Sequence, residues 1–204
     1  AAGVLKQEFG LEISSENVNI LDPFTGTGTF IARLIESGLI SPQDLERKYR
    51  KELFANEITL LAYYIAAVNI ENAFTRMAKN EEYIPFDHIL LTDTFNIEDI
   101  CKSRQASITE DDYFKKNIGR IKEEHNTPIT IIVGNPPYGG RQKTSNDDAK
   151  KRTYDRGVDA HINEKYLTEK VSNVNSVYDN YIRAFRWSTD RIGDNDGIIA
   201  FITP

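Results

Sequence analysis

Five short apolar runs recur along the chain, and most are followed by a stretch of helical periodicity. The runs are Asn19-Ile20-Leu21, Leu53-Phe54-Ala55-Asn56-Glu57, His88-Ile89-Leu90-Leu91, Ile129-Thr130-Ile131-Ile132-Val133 and residues 198–202. Short runs rich in β-branched residues and bounded by turn signals read as buried strands. Between them, Phe30, Ile31, Leu34 and Ile35 share one helical face, with Gly38 as the C-cap. A longer helix beginning at Ile58 carries Leu61, Ala62, Ile65, Ala66, Asn69 and Ile70 at helical spacing, and Tyr178, Tyr181, Ile182, Phe185 and Ile192 define a third. Residues 4–11 read as the end of a helix, residues 43–51 as a charged, solvated connector, and residues 96–127 as polar helix with a surface role. Strands alternating with helices predict an α/β fold, a doubly wound and mostly parallel sheet whose ligands sit outside the carboxyl ends of the strands.

The strand ends carry the candidate chemistry. After the first strand comes Asp22-Pro23-Phe24-Thr25-Gly26-Thr27-Gly28-Thr29-Phe30. Two glycines permit a tight turn close to a ligand, and the helix amino terminus offers N–H groups to a carboxylate or phosphate. The third glycine of a dinucleotide fingerprint is absent, as is a phosphate-loop Lys-Ser/Thr pair. The large Phe30 suits packing better than pyrophosphate access, which favours a nucleoside ligand ending in an amino acid over NAD or ATP.

Glu57 closes the second strand, the usual place for an acidic partner to ribose hydroxyls; a helix-dipole role at the start of the next helix accounts for it equally well. Asp93 closes the third strand. It can accept a hydrogen bond from an adenine amino group, or serve an Asx turn. The fourth strand ends in Asn135-Pro136-Pro137-Tyr138. Two prolines cannot continue a sheet ladder, so the backbone leaves the strand in a stiff, extended turn. An amide and an aromatic ring are thereby fixed at a strand end, where they can grip a planar group bearing an exocyclic NH2 and stack on its face. The plainer account is a stiffened loop that only closes a strand.

Charge and composition narrow the setting. The 204 residues carry a net charge of −6 and 40% hydrophobic residues, ordinary values for one medium globular domain. Residues 141–170 hold eight Lys/Arg against six Asp/Glu, so the acidic excess lies elsewhere. The single Cys101 excludes an internal disulfide and a cysteine-rich metal site, which fits a reducing, cytoplasmic compartment. His88, His125 and His161 lack zinc-type spacing and read as surface residues; no metal is expected. No apolar run is long enough to span a bilayer. Trp187 reads as core or interface. The absence of an initiator Met and the terminal apolar run suggest one domain truncated at both ends, with a long polar loop at about 139–176.

Taken together, the motifs resemble those of the amino-methyltransferases that use S-adenosylmethionine, and in their order those of a DNA adenine methyltransferase. Asp22-Pro23-Phe24-Thr25-Gly26-Thr27-Gly28-Thr29-Phe30 matches the family's Asp-Pro-x-x-Gly-x-Gly-x-Phe cofactor motif, and Asn135-Pro136-Pro137-Tyr138 its catalytic motif. The similarity covers roughly residues 18–204, and its last helix and strand resemble the methylase portion of large restriction-modification enzymes. The resemblance implies a Rossmann-like class I methyltransferase fold. It also implies that Asp22, Pro23, Phe24, Thr25, Gly26, Gly28, Thr29 and Phe30 hold the methionine part of the cofactor. Glu57 would hold its ribose, Asp93 and Thr94 its adenine, and Ile58 would pack on the ring. Asn135, Pro136, Pro137 and Tyr138 would take the target base, with Asn135 also at the cofactor. The aromatic segment that precedes the glycine strand in the family is not recognisable here.

Double-stranded DNA and the remaining domains of a larger polypeptide, for target recognition and, in the large enzymes it resembles, helicase and nuclease work, are the implied partners, with no membrane. Residues 141–170 are then expected to lie over the DNA backbone, with Lys150, Lys151 and Arg152 adding affinity. Two other readings stay open: a methyltransferase acting on a protein glutamine or on RNA, and a non-catalytic cofactor-binding domain that supports DNA recognition.

Overall fold

The computed structural model describes residues 1–79, 82–102, 112–137, 157–166 and 179–202. Its centre is a five-stranded sheet of β1 (Ile20–Asp22), β2 (Leu53–Glu57), β3 (Ile89–Leu91), β4 (Ile131–Gly134) and β5 (Ile198–Phe201). The spatial order is β3-β2-β1-β4-β5, and every neighbouring pair is parallel. Ile20 lies beside Leu53 on one side and Ile131 on the other. The chain runs outward from β1 to β3 and then returns to start β4 on the opposite side of β1. That reversal opens a crevice at the carboxyl ends of β1 and β4. All five expected strands are present, β2 with the expected limits and the other four with limits shifted by one or two residues.

On one face lie α1 (Ala2–Phe9), α2 (Thr29–Glu36), α3 (Leu45–Lys51) and α4 (Leu60–Ala78). Their inward residues, among them Leu5, Ile31, Ile35, Ala66, Ile70 and Phe74, join Ile20, Leu53, Ala55, Ile89 and Ile131 in one apolar cluster. α3 is not the solvated connector that its charge suggests, because Leu45, Lys48 and Tyr49 are buried. The Lys48 ammonium donates to the carbonyls of Ser15 (2.7 Å) and Val18 (2.9 Å) and pairs with Glu52 at 2.9 Å. Tyr49 stacks on Phe74 at 3.8 Å. A buried cation is tolerable only with such partners. Nor does α4 begin at Ile58; it begins at Leu60, after the N-cap Thr59.

The other face carries α5 (Ile97–Lys102), α6 (Asp112–Asn126), α7 (Val158–Tyr166) and α8 (Asn180–Ile192), packed on Leu21, Phe54, Leu90 and Ile132 in three smaller clusters. α6 was expected to be a surface helix, yet Asn117 and Glu124 are buried. Asn117 hydrogen-bonds both the N–H and the C=O of Leu91 (3.4 and 3.0 Å), completing the backbone of the edge strand β3. α7 interrupts the stretch read as one polar loop, because Val158 and Ile162 supply it with a buried face. His88 is no free surface group: its ring stacks on Phe54 at 4.6 Å, and burial pushes its pKa down. Burial lowers His125 likewise, helped by Arg191. In α8 the fully buried positions are Arg183, Ala184, Ser188 and Ile192, with Tyr181, Ile182 and Phe185 half-buried. Tyr178, Thr203 and Pro204 lie outside the described residues.

Candidate active site

At the carboxyl ends of β1 to β4 a cleft of about 310 Å3 opens, walled by Pro23, Phe24, Gly26, Glu57, Asp93 and Asn135 among others. Its first wall is the turn after β1. Asp22 is fully buried, and its Oδ1 accepts the Phe24 N–H at 3.1 Å. The Thr25 hydroxyl donates to the Asp22 carbonyl (2.8 Å) and the Thr25 N–H to the Asn56 carbonyl (3.0 Å), so β2 clamps the turn.

The two glycines of the turn have different reasons to be glycine. Gly26 (φ 55) lies on the cleft wall, and a Cβ added there meets nothing within 4 Å. Gly28 (φ 83) touches α4 instead, where a Cβ would stand 3.0 Å from the Ala66 carbonyl oxygen. A Phe at position 30 is compatible with this arrangement because it is half-buried away from the cleft. Thr29 opens α2 beside a separate surface hollow with Asn69 and Arg76. Gly28, Thr29 and Phe30 therefore shape the turn from behind, and Gly26 is the glycine that meets the cleft.

Glu57 is fixed by two backbone donors, with Oε2 accepting the Gly26 N–H (2.8 Å) and Oε1 the Thr59 N–H (2.6 Å). This ties the β1 turn to the start of α4 and delays the helix by two residues. A carboxylate has about four acceptor positions, so two remain for a ligand's hydroxyls. Ile58, next along, stands half-exposed on the cleft wall. Asp93 performs the Asx-turn role: its Oδ1 accepts the Phe95 N–H (3.2 Å) and caps the short helical turn Thr94–Asn96. The Thr94 hydroxyl donates to the Pro23 carbonyl (2.6 Å), joining the β3 end to the β1 turn. Phe24 and Phe95 pack at 5.5 Å beneath it.

On the β4 side, Asn135 and Pro137 line the same cleft and Pro136 is buried. Gly134 has to be small, because a Cβ there would lie 3.0 Å from Asp22 Oδ1. The catalytic-motif turn and the cofactor-motif turn thus abut. Tyr138, like Lys150, Lys151 and Arg152, lies outside the described residues.

Burial pushes the Asp22 carboxyl up to about 7; the Phe24 N–H opposes this and the nearby Glu57 carboxylate adds to it. Among the described residues its Oδ2 has no hydrogen-bond partner, nor has the buried Thr92 hydroxyl on the cleft wall. Unpaired buried oxygens are costly unless a ligand supplies the donors. An amino-acid ammonium and nucleoside N–H and hydroxyl groups are donors of the required kind, so the residues present fit S-adenosylmethionine.

Of the residues predicted from sequence, the fold brings Pro23, Phe24, Gly26, Glu57, Ile58, Asp93, Thr94, Asn135 and Pro137 together here, with Asp22 and Thr25 buried in the β1 turn. The cleft wall also includes Asn56, Thr59, Thr92, Phe95 and Asn180, which were not predicted. Four of these adjoin predicted residues, so strand-end position was the available signal. Asn180 arrives from the amino end of α8, and nothing in its local sequence marks it. Among the described residues no three His, Cys, Asp or Glu side chains group as a metal site, and no helix is long and apolar enough to cross a membrane.

The parallel sheet and its strand-end cleft define a Rossmann-like methyltransferase fold. Residues 47–204 match the family model of the Eco57I restriction-modification methylase, and the chain belongs to that family. Solved structures agree. An ATP-dependent Type ISP restriction-modification enzyme, LlaBIII bound to DNA, is 46% identical with a TM-score of 0.84, over 98% of this chain and 13% of that one. A nuclease-deletion mutant of the Type ISP enzyme LlaGI with a DNA substrate mimic gives 44% and 0.84, over 98% and 16%. The DrdV–DNA complex gives 38% and 0.82, over 98% and 18%. The chain thus spans less than a fifth of the length of these relatives. Comparison with curated proteins found no similar sequence.

Proposed function

We propose that this chain is the methylase domain of a restriction-modification polypeptide and transfers a methyl group from S-adenosylmethionine to the exocyclic 6-amino group of adenine in DNA. The observation that carries the reading is that Asn135 lines the same cleft as Gly26, Glu57 and Asp93. A base-gripping amide and a nucleoside-holding wall therefore face one space. The likeness to DNA-bound restriction-modification enzymes favours DNA over a protein glutamine or RNA as the substrate.

In this reading Asp22 Oδ2 takes the cofactor's ammonium group, Glu57 its ribose hydroxyls, and the Asp93–Thr94 backbone and Ile58 its adenine. When bound, the cofactor supplies an electrophilic sulfonium methyl. The Asn135 side-chain oxygen and the Pro136 carbonyl accept the two protons of the target amino group, which keeps the nitrogen lone pair directed at the electrophile. Proline on both sides of the carbonyl holds that geometry before the base arrives, so acceleration comes mainly from positioning. A target inside a duplex must first leave the stack, and Tyr138 is placed in sequence to receive its face. As the methyl group arrives, one amino proton leaves to solvent.

The test is methyl transfer from labelled S-adenosylmethionine by the full-length gene product, offered DNA, RNA and a glutamine-bearing release factor in parallel. DNA labelling that maps to N6-methyladenine is expected. Asn135→Ala should lower it about 100-fold or more, the scale of losing one positioned transition-state partner. Labelling of RNA or protein instead, or full activity in Asn135→Ala, contradicts the proposal.

A further inference from the structure

α4 is buried along Tyr63, Ala66, Ile70, Ala73 and Phe74, as a sheet-covering helix should be. Its opposite face is also apolar. Leu60, Leu61, Tyr64, Ile65 and Val68 are between 39 and 70% exposed, and Ile58 continues the patch onto the cleft wall. Positions 61, 64, 65 and 68 are spaced i, i+3, i+4, i+7, the pattern by which one helix packs on another. Single exposed apolar residues are ordinary, but a contiguous strip of them marks an interaction surface. Toward the carboxyl end the exposed positions turn mostly polar, with Asn72, Thr75 and Arg76, and Met77 stands apart from the strip.

The strip excludes one of the two obvious occupants by its charge. Between residues 52 and 75 there is no Lys or Arg, and Glu57 and Glu71 are acidic. A DNA backbone requires cations at its contact surface, and the strip from Leu60 to Val68 supplies none; the nearest arginines on this side, Arg33 and Arg76, border a separate hollow with Asn69 and Asn72. Ile58 lines the cleft but Leu61, Tyr64, Ile65 and Val68 do not, so the strip is not an extension of the small-molecule site. The remaining candidates are polypeptide. Relatives 38 to 46% identical hold this domain within chains of which it makes up only 13 to 18%. In such a chain the domain is surrounded by several times its own mass, and an uncovered apolar helix face is where neighbouring structure would seat.

We propose that the outer face of α4, centred on Leu61, Tyr64 and Val68, is the docking surface for an apolar segment of the same polypeptide lying outside residues 1–204. This rests on the reading of the chain as one domain of a longer restriction-modification polypeptide. Because Ile58 and Thr59 belong both to the cleft wall and to the approach to α4, the docked segment borders the cofactor cleft. Seating of the neighbouring domain and occupancy of the cleft are then adjacent events.

The test is site-specific photo-crosslinking in the full-length gene product, with the photoreactive residue at Leu61, at Val68, or at Thr75 as the control beyond the strip. All three sites are exposed, so the substitutions leave the fold intact. The expected result is an internal crosslink from positions 61 and 68, with no mass increase on a denaturing gel. Its peptide should map outside residues 1–204, and yields at both positions should stand several-fold above that at 75. An adduct of twice the mass would show a second copy on this face, an adduct to DNA would show the charge argument to be wrong, and a crosslink within residues 138–178 would show the chain covering itself. Any of these, or equal yields at all three positions, overturns the proposal. None depends on methyl transfer, so failure of the functional reading in the labelling assay is seen separately.

Discussion

The two faces of the sheet are held by different physics. On the α1–α4 face, twenty of the described residues form one buried apolar cluster, with Lys48 the main polar intruder. On the α5–α8 face the apolar contacts divide into three small clusters, and buried polar groups fill the space between them. Arg183 of α8 grips Asp159 of α7 through two bonds of 2.7 and 2.8 Å, with both side chains more than 90% buried. Asn56 of β2 donates to Glu124 of α6 at 3.1 Å, and Arg191 of α8 donates to the carbonyls of Glu124 and Thr127 at 2.5 and 2.7 Å. Apolar packing tolerates gradual change, whereas a buried ion pair fails abruptly when one partner is lost. The polar face should therefore be the fragile one.

The largest effect is expected at that ion pair. Asp159→Ala removes the bidentate carboxylate partner of a buried guanidinium whose bond within its own helix is to the neutral Asn180 amide oxygen (3.1 Å), and should cost about 3–5 kcal/mol of unfolding free energy, while an Asp159→Leu, Arg183→Met double variant should recover most of it. Denaturant titration checks both, and a double variant no more stable than Asp159→Ala would mean that the pair does more than satisfy its own charges.

A second effect separates the faces by pH. Burial pushes the Glu124 carboxyl from its ordinary 4.5 up to about 7, against the opposing pull of Asn56 and Arg191. The folded protein therefore holds this proton more tightly than the unfolded chain, and its stability falls as pH rises from about 4.5 to 7. Glu124→Gln keeps the acceptor for Asn56 and should remove up to about 3 kcal/mol of that pH dependence. Melting profiles at pH 5 and 8 measure it; a variant whose pH dependence matches wild type would place the titration elsewhere, Asp22 being the other buried carboxyl raised to about 7.

These buried polar groups also explain what could be read from sequence and what could not. Periodicity exposes Ile31, Ile35, Ala66 and Ile70, since helical spacing of apolar residues has one explanation, and the strands showed for the same reason. Asn117, Glu124, Asp159 and Arg183 look identical to surface residues until the fold supplies their partners, so α6 read as surface and α7 disappeared into a loop. Lys48 misled in the same way. The site was more legible than its supports: turn chemistry fixed Gly26, Glu57, Asp93 and Asn135 at strand ends, and parallel order brought those ends together. The division of labour between Gly26 and Gly28 depends on where α4 lies, which no local pattern states.

That division yields smaller, opposed effects. Gly28→Ala combines positive φ with a 3.0 Å approach to the Ala66 carbonyl, so it should cost more than the roughly 1–2 kcal/mol of left-handed strain that Gly26→Ala incurs alone. Thermal melts of the two variants should rank accordingly. Smallest of all is Leu61→Ser on the outer strip of α4, which should leave the stability of the 204-residue chain within about 0.5 kcal/mol, since the side chain is 70% exposed. A larger loss would mean that Leu61 packs within this domain.

The central claim is that the cleft walled by Gly26, Glu57 and Asp93 holds S-adenosylmethionine, and calorimetric titration of the cofactor into the chain tests it most directly. One-to-one binding is predicted for wild type, abolished in Gly26→Val, where the new side chain enters the cleft, and weakened about tenfold in Asp22→Asn, consistent with loss of one charged hydrogen-bond partner. Binding to wild type should also release protons near pH 7, because an ammonium beside Asp22 favours its ionised form and draws down a carboxyl that burial raises to about 7. No heat from a demonstrably folded wild-type chain, or undiminished binding in Gly26→Val, would contradict the account.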